Sequence, residues 1–119
     1  MNLVLFIFLS LGTSLLQSSS YQRLSLQDFD AAIQKDSVQL IDVRTPEEFQ
    51  EGHIPGAMNL NFYNPEYLRA EAQCLDPEKP VYLYCKLGGR SKKASKMFLE
   101  LGFRYVYDLK GGFSGWQKQ

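Results

Sequence analysis

The chain has 119 residues, 13 Lys and Arg against 13 Asp and Glu, and a single histidine. That length allows one small domain with one core. The zero formal charge gives no support to nucleic-acid binding or to a polybasic membrane patch, and two cysteines are no disulfide framework and lack zinc-site spacing.

Residues 1–20 carry no charged side chain; an apolar run from Leu3 to Leu16 ends in Gln17-Ser18-Ser19-Ser20. An apolar segment closed by small residues is the pattern of a secretory signal peptide. It predicts cleavage after Ser20, a mature domain of residues 21–119, and export to the periplasm or the extracellular space. The alternative is an anchor held by residues 3–16, although the run is short for a membrane span.

The mature chain alternates strand and helix patterns. Tyr21 to Leu24 reads as a first strand, and Ser25 caps a helix with Leu26, Phe29, Ala32 and Ile33 at helical spacing. Val38 to Val43 reads as a buried strand. Thr45, Pro46 and Glu48 then form the capping box of a short helix that Gly52 stops. Ala57 to Leu60 is a short strand, and Asn64-Pro65 opens a helix running to about Leu75. Val81 to Tyr84 is a buried strand. Ser91 opens a helix with Ala94, Met97, Phe98 and Leu101 on its inner face, ended by Gly102. Tyr105 to Leu109 is the last strand, with a helical turn from Phe113 to Trp116. This alternation predicts an α/β domain with an open parallel sheet flanked by helices.

The chemistry concentrates in Cys85-Lys86-Leu87-Gly88-Gly89-Arg90-Ser91. A thiol at a strand's carboxyl end, a glycine-bearing loop and a helix N-terminus make an anion site around a nucleophile. Glycine lets backbone N–H groups turn inward, and those groups with the helix N-terminus favour negative charge. The same field favours thiolate over thiol at Cys85. Lys86 and Arg90 add positive charge, and Lys92, Lys93 and Lys96 follow. Ligands of open α/β sheets sit beyond the carboxyl ends of strands, where Cys85 falls.

Four motifs in order carry a resemblance. Ile41-Asp42-Val43-Arg44-Thr45-Pro46-Glu47-Glu48-Phe49, Gly52-His53-Ile54-Pro55-Gly56-Ala57, Cys85 to Ser91, and Leu109-Lys110-Gly111-Gly112 followed by Trp116 together resemble the rhodanese-like (sulfurtransferase) family. The resemblance covers about Tyr21 to Trp116 and is closest to its exported single-domain members. It implies a five-stranded parallel sheet and no metal or organic cofactor. It also implies a ping-pong route in which Cys85 takes a sulfane sulfur from a small anionic donor such as thiosulfate. The persulfide then passes the sulfur to cyanide, a thiol or a protein acceptor.

By the same resemblance, Cys85 is the nucleophile. The N–H groups of Lys86 through Arg90 cradle the donor, Gly88 and Gly89 permit the loop, and the Lys86 and Arg90 side chains attract the anion and stabilise charge on the leaving group. Asp42 and Arg44 support the loop by ion pairing, and Arg90 has a competing reading as a salt-bridge partner of an acidic residue such as Asp42. Glu48 is explained by capping. His53, Gly111, Gly112 and Trp116 read as architectural, Phe113 as pocket rim and Cys74 as an inert helix cysteine. A monomer is the default.

Three other functions fit less well. Phosphatase or arsenate reductase chemistry in a related fold uses Cys-(five residues)-Arg, whereas four residues separate Cys85 from Arg90. A partner-binding or persulfide-carrying module does not need a small-molecule donor. A thiol-disulfide role lacks a Cys-x-x-Cys pair.

Overall fold

The computed structural model describes residues 18–35 and 37–119. The apolar segment expected to be a signal peptide or anchor lies, apart from Ser18 to Ser20, outside the described residues. Ser20 already opens the first strand, so a mature chain beginning at Tyr21 keeps every residue of that strand but one.

The described chain runs β1 (Ser20–Leu24), α1 (Leu26–Ile33), β2 (Gln39–Asp42), α2 (Pro46–Glu51), β3 (Met58–Asn59), α3 (Pro65–Ala72), β4 (Val81–Tyr84), α4 (Gly89–Glu100), β5 (Tyr105–Leu109) and α5 (Gly112–Gln117). The five strands form one sheet in the order β1-β5-β4-β2-β3, and every pairing is parallel. The open parallel five-stranded sheet flanked by helices is therefore as expected. β4 lies at its centre, with Asp42 opposite Tyr84 on one side and Asp108 opposite Leu83 on the other.

The alternation of β4 divides the core into two layers. Val81, Leu83 and Cys85 face one side, packed with Leu68 and Ala72 of α3 and Ala94 and Phe98 of α4. Tyr82 and Tyr84 face the other, with Phe29 of α1, Ile54 and Phe113 of α5. All four residues of β4 are buried, which is why its sequence is a continuous apolar run rather than an alternating one.

Local signals fix the helix starts. Ser25 Oγ accepts the Asp28 N–H at the head of α1. Thr45 and Glu48 close a complete capping box at α2, with Pro46 in its first turn. Asn64 caps α3. Several ends shift inward: β2 lacks Val38 and Val43, β3 keeps only Met58 and Asn59, and α3 stops at Ala72. Helix α4 begins at Gly89, two residues before Ser91, for a reason that lies in the loop.

Leu83 is fully buried at the centre of the sheet. Leu83→Ala is expected to cost about 3 kcal/mol by transfer and cavity formation, read as a lower midpoint of denaturant unfolding with an unchanged slope.

Candidate functional site

Helix α4 has no side-chain cap. Its N-cap is Gly88, held at φ +119°, a left-handed conformation that glycine adopts without steric cost. The acceptor is a sulfur instead. Cys85 Sγ receives the backbone N–H of Gly88 at 3.1 Å and that of Ser91, third residue of the helix, at 3.3 Å. The thiol sits where an N-cap oxygen normally sits, facing donors that the helix itself cannot satisfy. The helix dipole points its positive end at the same atom. Helix α4 starts early because the loop residues Gly89 and Arg90 already belong to its first turn.

The loop is held from behind by a second helix N-terminus. Gly111, at φ +80°, is the N-cap of α5 and likewise carries no side-chain cap. The N–H of Phe113 donates to the Cys85 carbonyl at 2.8 Å, and that of Ser114 to the Lys86 carbonyl at 3.1 Å. Both carbonyls turn toward α5, while the N–H groups of Gly88 and Ser91 face the sulfur. This contact explains Gly112. It sits at φ +60°, and a Cβ there would lie 2.5 Å from the Lys86 carbonyl atoms and 2.6 Å from the Cys85 oxygen. At Gly111 a Cβ would meet nothing within 4 Å.

The cradle differs in detail from the expected one. The N–H groups that reach Sγ belong to Gly88 and Ser91. Arg90 has an acidic partner, but it is Glu48 rather than Asp42. Arg90 Nη1 and Nη2 donate to the two Glu48 carboxylate oxygens at 2.7 and 3.0 Å, and the guanidinium lies 5.5 Å from the centre of the Tyr63 ring. The Arg90 hydrogen bonds, with those from Thr45, hold the Glu48 carboxyl at about 2, below its ordinary 4.5. Glu48 thus joins two tasks: its Oε1 also accepts the Thr45 N–H of the capping box at 3.1 Å.

Asp42 and Arg44 pair with each other. Both are buried; Arg44 Nε and Nη2 donate to the carboxylate at 2.7–3.1 Å, and Nη2 also donates to the Gly52 carbonyl at 2.7 Å. The guanidinium lies 4.3 Å from the Phe113 ring centre. The pair joins the end of β2, the end of α2 and the start of α5.

A cleft of about 200 Å³ opens beside the loop, lined in part by Arg44, Glu48, Gly52, Lys86, Phe113 and Ser114. Phe113, expected at the rim, is a buried residue of its lining. Cys85 is only 1% exposed, at the floor of its loop, whereas Leu87 at the loop's crest is 70% exposed. His53 is at the surface, stacked on Phe49 with ring centres 3.7 Å apart, and Cys74 is exposed after the end of α3. Trp116 packs on Phe113. Among the described residues no group of three or more His, Cys, Asp and Glu side chains could hold a metal.

One part of the site escaped the sequence reading. Asp108 of β5 is completely buried beneath the loop. It accepts from Tyr21 Oη at 2.7 Å, from Arg23 Nε and Nη2 and from Ser91 Oγ at 2.9 Å. Arg23 Nη2 also donates to the Gly88 carbonyl. The available signal was a carboxylate inside the otherwise apolar strand Tyr105–Leu109, since a buried charge needs a partner.

Comparison with known proteins agrees with this geometry. The family described as "Rhodanese-like domain" matches residues 25–119. The protein YqhL of Bacillus subtilis, named as uncharacterized, is 38% identical over 119 residues, covering 96% of this chain and 90% of that protein. Thiosulfate sulfurtransferase GlpE of Shewanella oneidensis is 37% identical over 100 residues, covering 84% of this chain and 96% of that protein. Among solved structures, a rhodanese-related protein from Thermoplasma volcanium superposes with a TM-score of 0.70 at 26% identity, over 82% of this chain and 92% of that one.

Two outcomes follow from the contacts. Gly112→Ala must displace backbone as well as adopt a left-handed conformation, and is expected to cost about 3 kcal/mol, whereas Gly111→Ala carries the conformational cost alone, about 1 kcal/mol; paired thermal melts separate them. Glu48→Gln keeps the capping acceptor but removes the ion pair with Arg90. Because folding depresses the Glu48 carboxyl from its ordinary 4.5 to about 2, its contribution is complete above the unfolded value and is lost as pH falls through the folded one. The stability gap between the parent and Glu48→Gln is therefore expected at neutral pH, shrinking below pH 4.5 and closing near pH 2, as read by urea unfolding at successive pH values.

Proposed function

The chain belongs to the rhodanese-like domain family, and from that premise we propose that it is a sulfurtransferase of the thiosulfate type, carrying sulfur on Cys85. The observation that bears the most weight is the seat of Sγ at the N-terminus of α4, facing the N–H groups of Gly88 and Ser91. Relatives named as thiosulfate sulfurtransferases are 30–38% identical.

In the first half-reaction the Cys85 thiolate attacks the outer sulfur of the donor. A carbon-bound sulfur becomes a persulfide, the donor's S–S bond breaks, and sulfite leaves with the bonding pair. In the second, a nucleophilic acceptor, cyanide or a thiol, attacks the outer persulfide sulfur and the Cys85 thiolate departs. Both half-reactions put negative charge on sulfur at the same place, where fixed N–H dipoles and the helix N-terminus need no rearrangement to stabilise it. Lys86 and Arg90 supply positive charge beside the sulfur's loop. Glu48 neutralises part of the Arg90 charge and fixes its guanidinium, so Arg90 acts mainly by position. The four-residue spacing from Cys85 to Arg90 favours this route over phosphoryl chemistry. A protein acceptor remains the second reading, favoured by the exposed Leu87 at the crest of the loop.

The test is thiosulfate:cyanide sulfurtransfer by the full chain beside Cys85→Ser and Arg90→Ala. Thiocyanate formation, and a mass gain of one sulfur on Cys85, are expected to vanish in Cys85→Ser. Arg90→Ala is expected to lose about tenfold in kcat/KM, or about 1.4 kcal/mol. A mass gain on Cys85 without thiocyanate would shift the proposal to a protein acceptor, and neither signal from folded protein would remove it.

A further inference from the structure

Ser91 touches the sulfur twice, and in opposite senses. Its backbone N–H donates to Cys85 Sγ. Its hydroxyl lies 3.6 Å from the same atom and is placed to accept the S–H. A hydroxyl has one hydrogen to give. Three acceptors compete for it: Asp108 Oδ2 at 2.9 Å, the Gly88 carbonyl at 3.3 Å, and Sγ at 3.6 Å. The carboxylate is the nearest and it is charged, so the hydrogen points to Asp108 and a lone pair of Ser91 Oγ faces the sulfur.

That orientation suits a thiol and opposes a thiolate. The S–H donates to Ser91 Oγ. Once the proton leaves to solvent, two electron-rich atoms face each other unless the hydroxyl turns away from Asp108 and donates to sulfur. The Asp108 oxygens accept four hydrogen bonds, from Tyr21, Arg23 and Ser91. The effect of Asp108 is on the direction of the Ser91 hydroxyl.

We propose that Asp108, oriented by Arg23 and Tyr21, is a positioning residue that acts through the Ser91 hydroxyl to set the balance between thiol and thiolate at Cys85. The functional consequence rests on Cys85 being the sulfur carrier; the protonation balance does not. The other charged groups around Cys85 are Lys86 and Arg90 in the loop, Glu48 of α2 bound to Arg90, the closed Asp42–Arg44 pair at the end of β2, and Arg23 of β1, reaching the Gly88 carbonyl. Among the charged groups of the described residues, Asp108 is the one that accepts the Ser91 hydrogen that the sulfur could otherwise receive. Burial and the neighbouring carboxylate push the Tyr21 hydroxyl up to about 12, so it stays protonated while the thiol titrates.

The experiment follows the ultraviolet thiolate absorbance of the full chain against pH in a Cys74→Ser background, with the Cys74→Ser/Cys85→Ser protein as the blank. Asp108→Asn frees the Ser91 hydrogen and is expected to lower the Cys85 midpoint by about one pH unit, a tenfold change in the thiolate equilibrium. Tyr21→Phe leaves the carboxylate one donor poorer, strengthens its hold on Ser91, and is expected to raise the midpoint. In a Ser91→Ala background both shifts should fall to less than half. An unmoved midpoint in either folded variant overturns the proposal, as does a full shift that persists without Ser91. Where circular dichroism shows Asp108→Asn unfolded, Tyr21→Phe decides alone. Absence of sulfur transfer in the parent protein would remove the sulfurtransferase reading and leave these midpoints standing.

Discussion

A sulfur atom serves as the cap of a helix, and the rest of the site is arranged to permit it. The first turn of any α-helix exposes N–H groups without intrahelical partners. Here the usual oxygen is missing because the N-cap is Gly88, and Cys85 Sγ, arriving from the end of the central strand, takes its place. The helix gains an acceptor and the sulfur gains fixed donors. The arrangement stabilises a negative sulfur more than a neutral one, since the donors and the dipole interact with charge. Fold stability and the setting of the thiol are in this sense coupled: an interaction that completes α4 also surrounds its capping atom with fixed donors.

The coupling depends on a backbone that faces two ways. The Cys85 and Lys86 carbonyls turn outward to the first N–H groups of α5, while the N–H groups of Gly88 and Ser91 turn inward to the sulfur. Two helix N-termini therefore share one loop, each satisfied by groups the other leaves free. Gly112 is the geometric condition for their approach, since any side chain there would occupy the Lys86 carbonyl. Around this core three ion pairs tie loop to scaffold: Arg90 to Glu48, Arg44 to Asp42 and Arg23 to Asp108. They differ in exposure. The carboxylates of Asp42 and Asp108 are fully buried, whereas Glu48, Arg90 and Arg23 are partly exposed, so solvent screening weakens the Asp42–Arg44 pair least.

Much of this was legible in the residues because it is local. The capping box at Thr45, the Asn64 cap and the apolar run of β4 each depend on a few neighbours in sequence, and all three stand in the structure. The Cys85 loop was legible for the same reason, since strand end, glycines and helix start are contiguous. What escaped was long-range. Arg23 and Asp108 are 85 residues apart in the chain, and nothing in their immediate surroundings names the partner. β1 pairs with β5 only in the folded sheet, in a register that sets Arg23 against Asp108. The partner of Arg90 was misassigned by the same limit: Asp42 and Glu48 both lie near the end of β2, but Asp42 is already occupied by Arg44. Competition between acceptors is a property of the assembled site.

The charges beneath the loop explain why a buried carboxylate is tolerated near the sulfur. An isolated Asp108 would repel a thiolate and cost several kcal/mol to bury. Arg23 cancels its charge at contact distance and at the same time donates to the Gly88 carbonyl, fixing the peptide that precedes Gly89 in the first turn of α4. The carboxylate thus acts at short range, through hydrogen-bond direction, rather than at long range through its field. Direction is the more selective means, because it distinguishes a sulfur that offers a proton from one that needs a donor. A hydroxyl between carboxylate and thiol is the smallest group able to serve both states, and Ser91 is held to that position by the same helix whose N-terminus the sulfur caps.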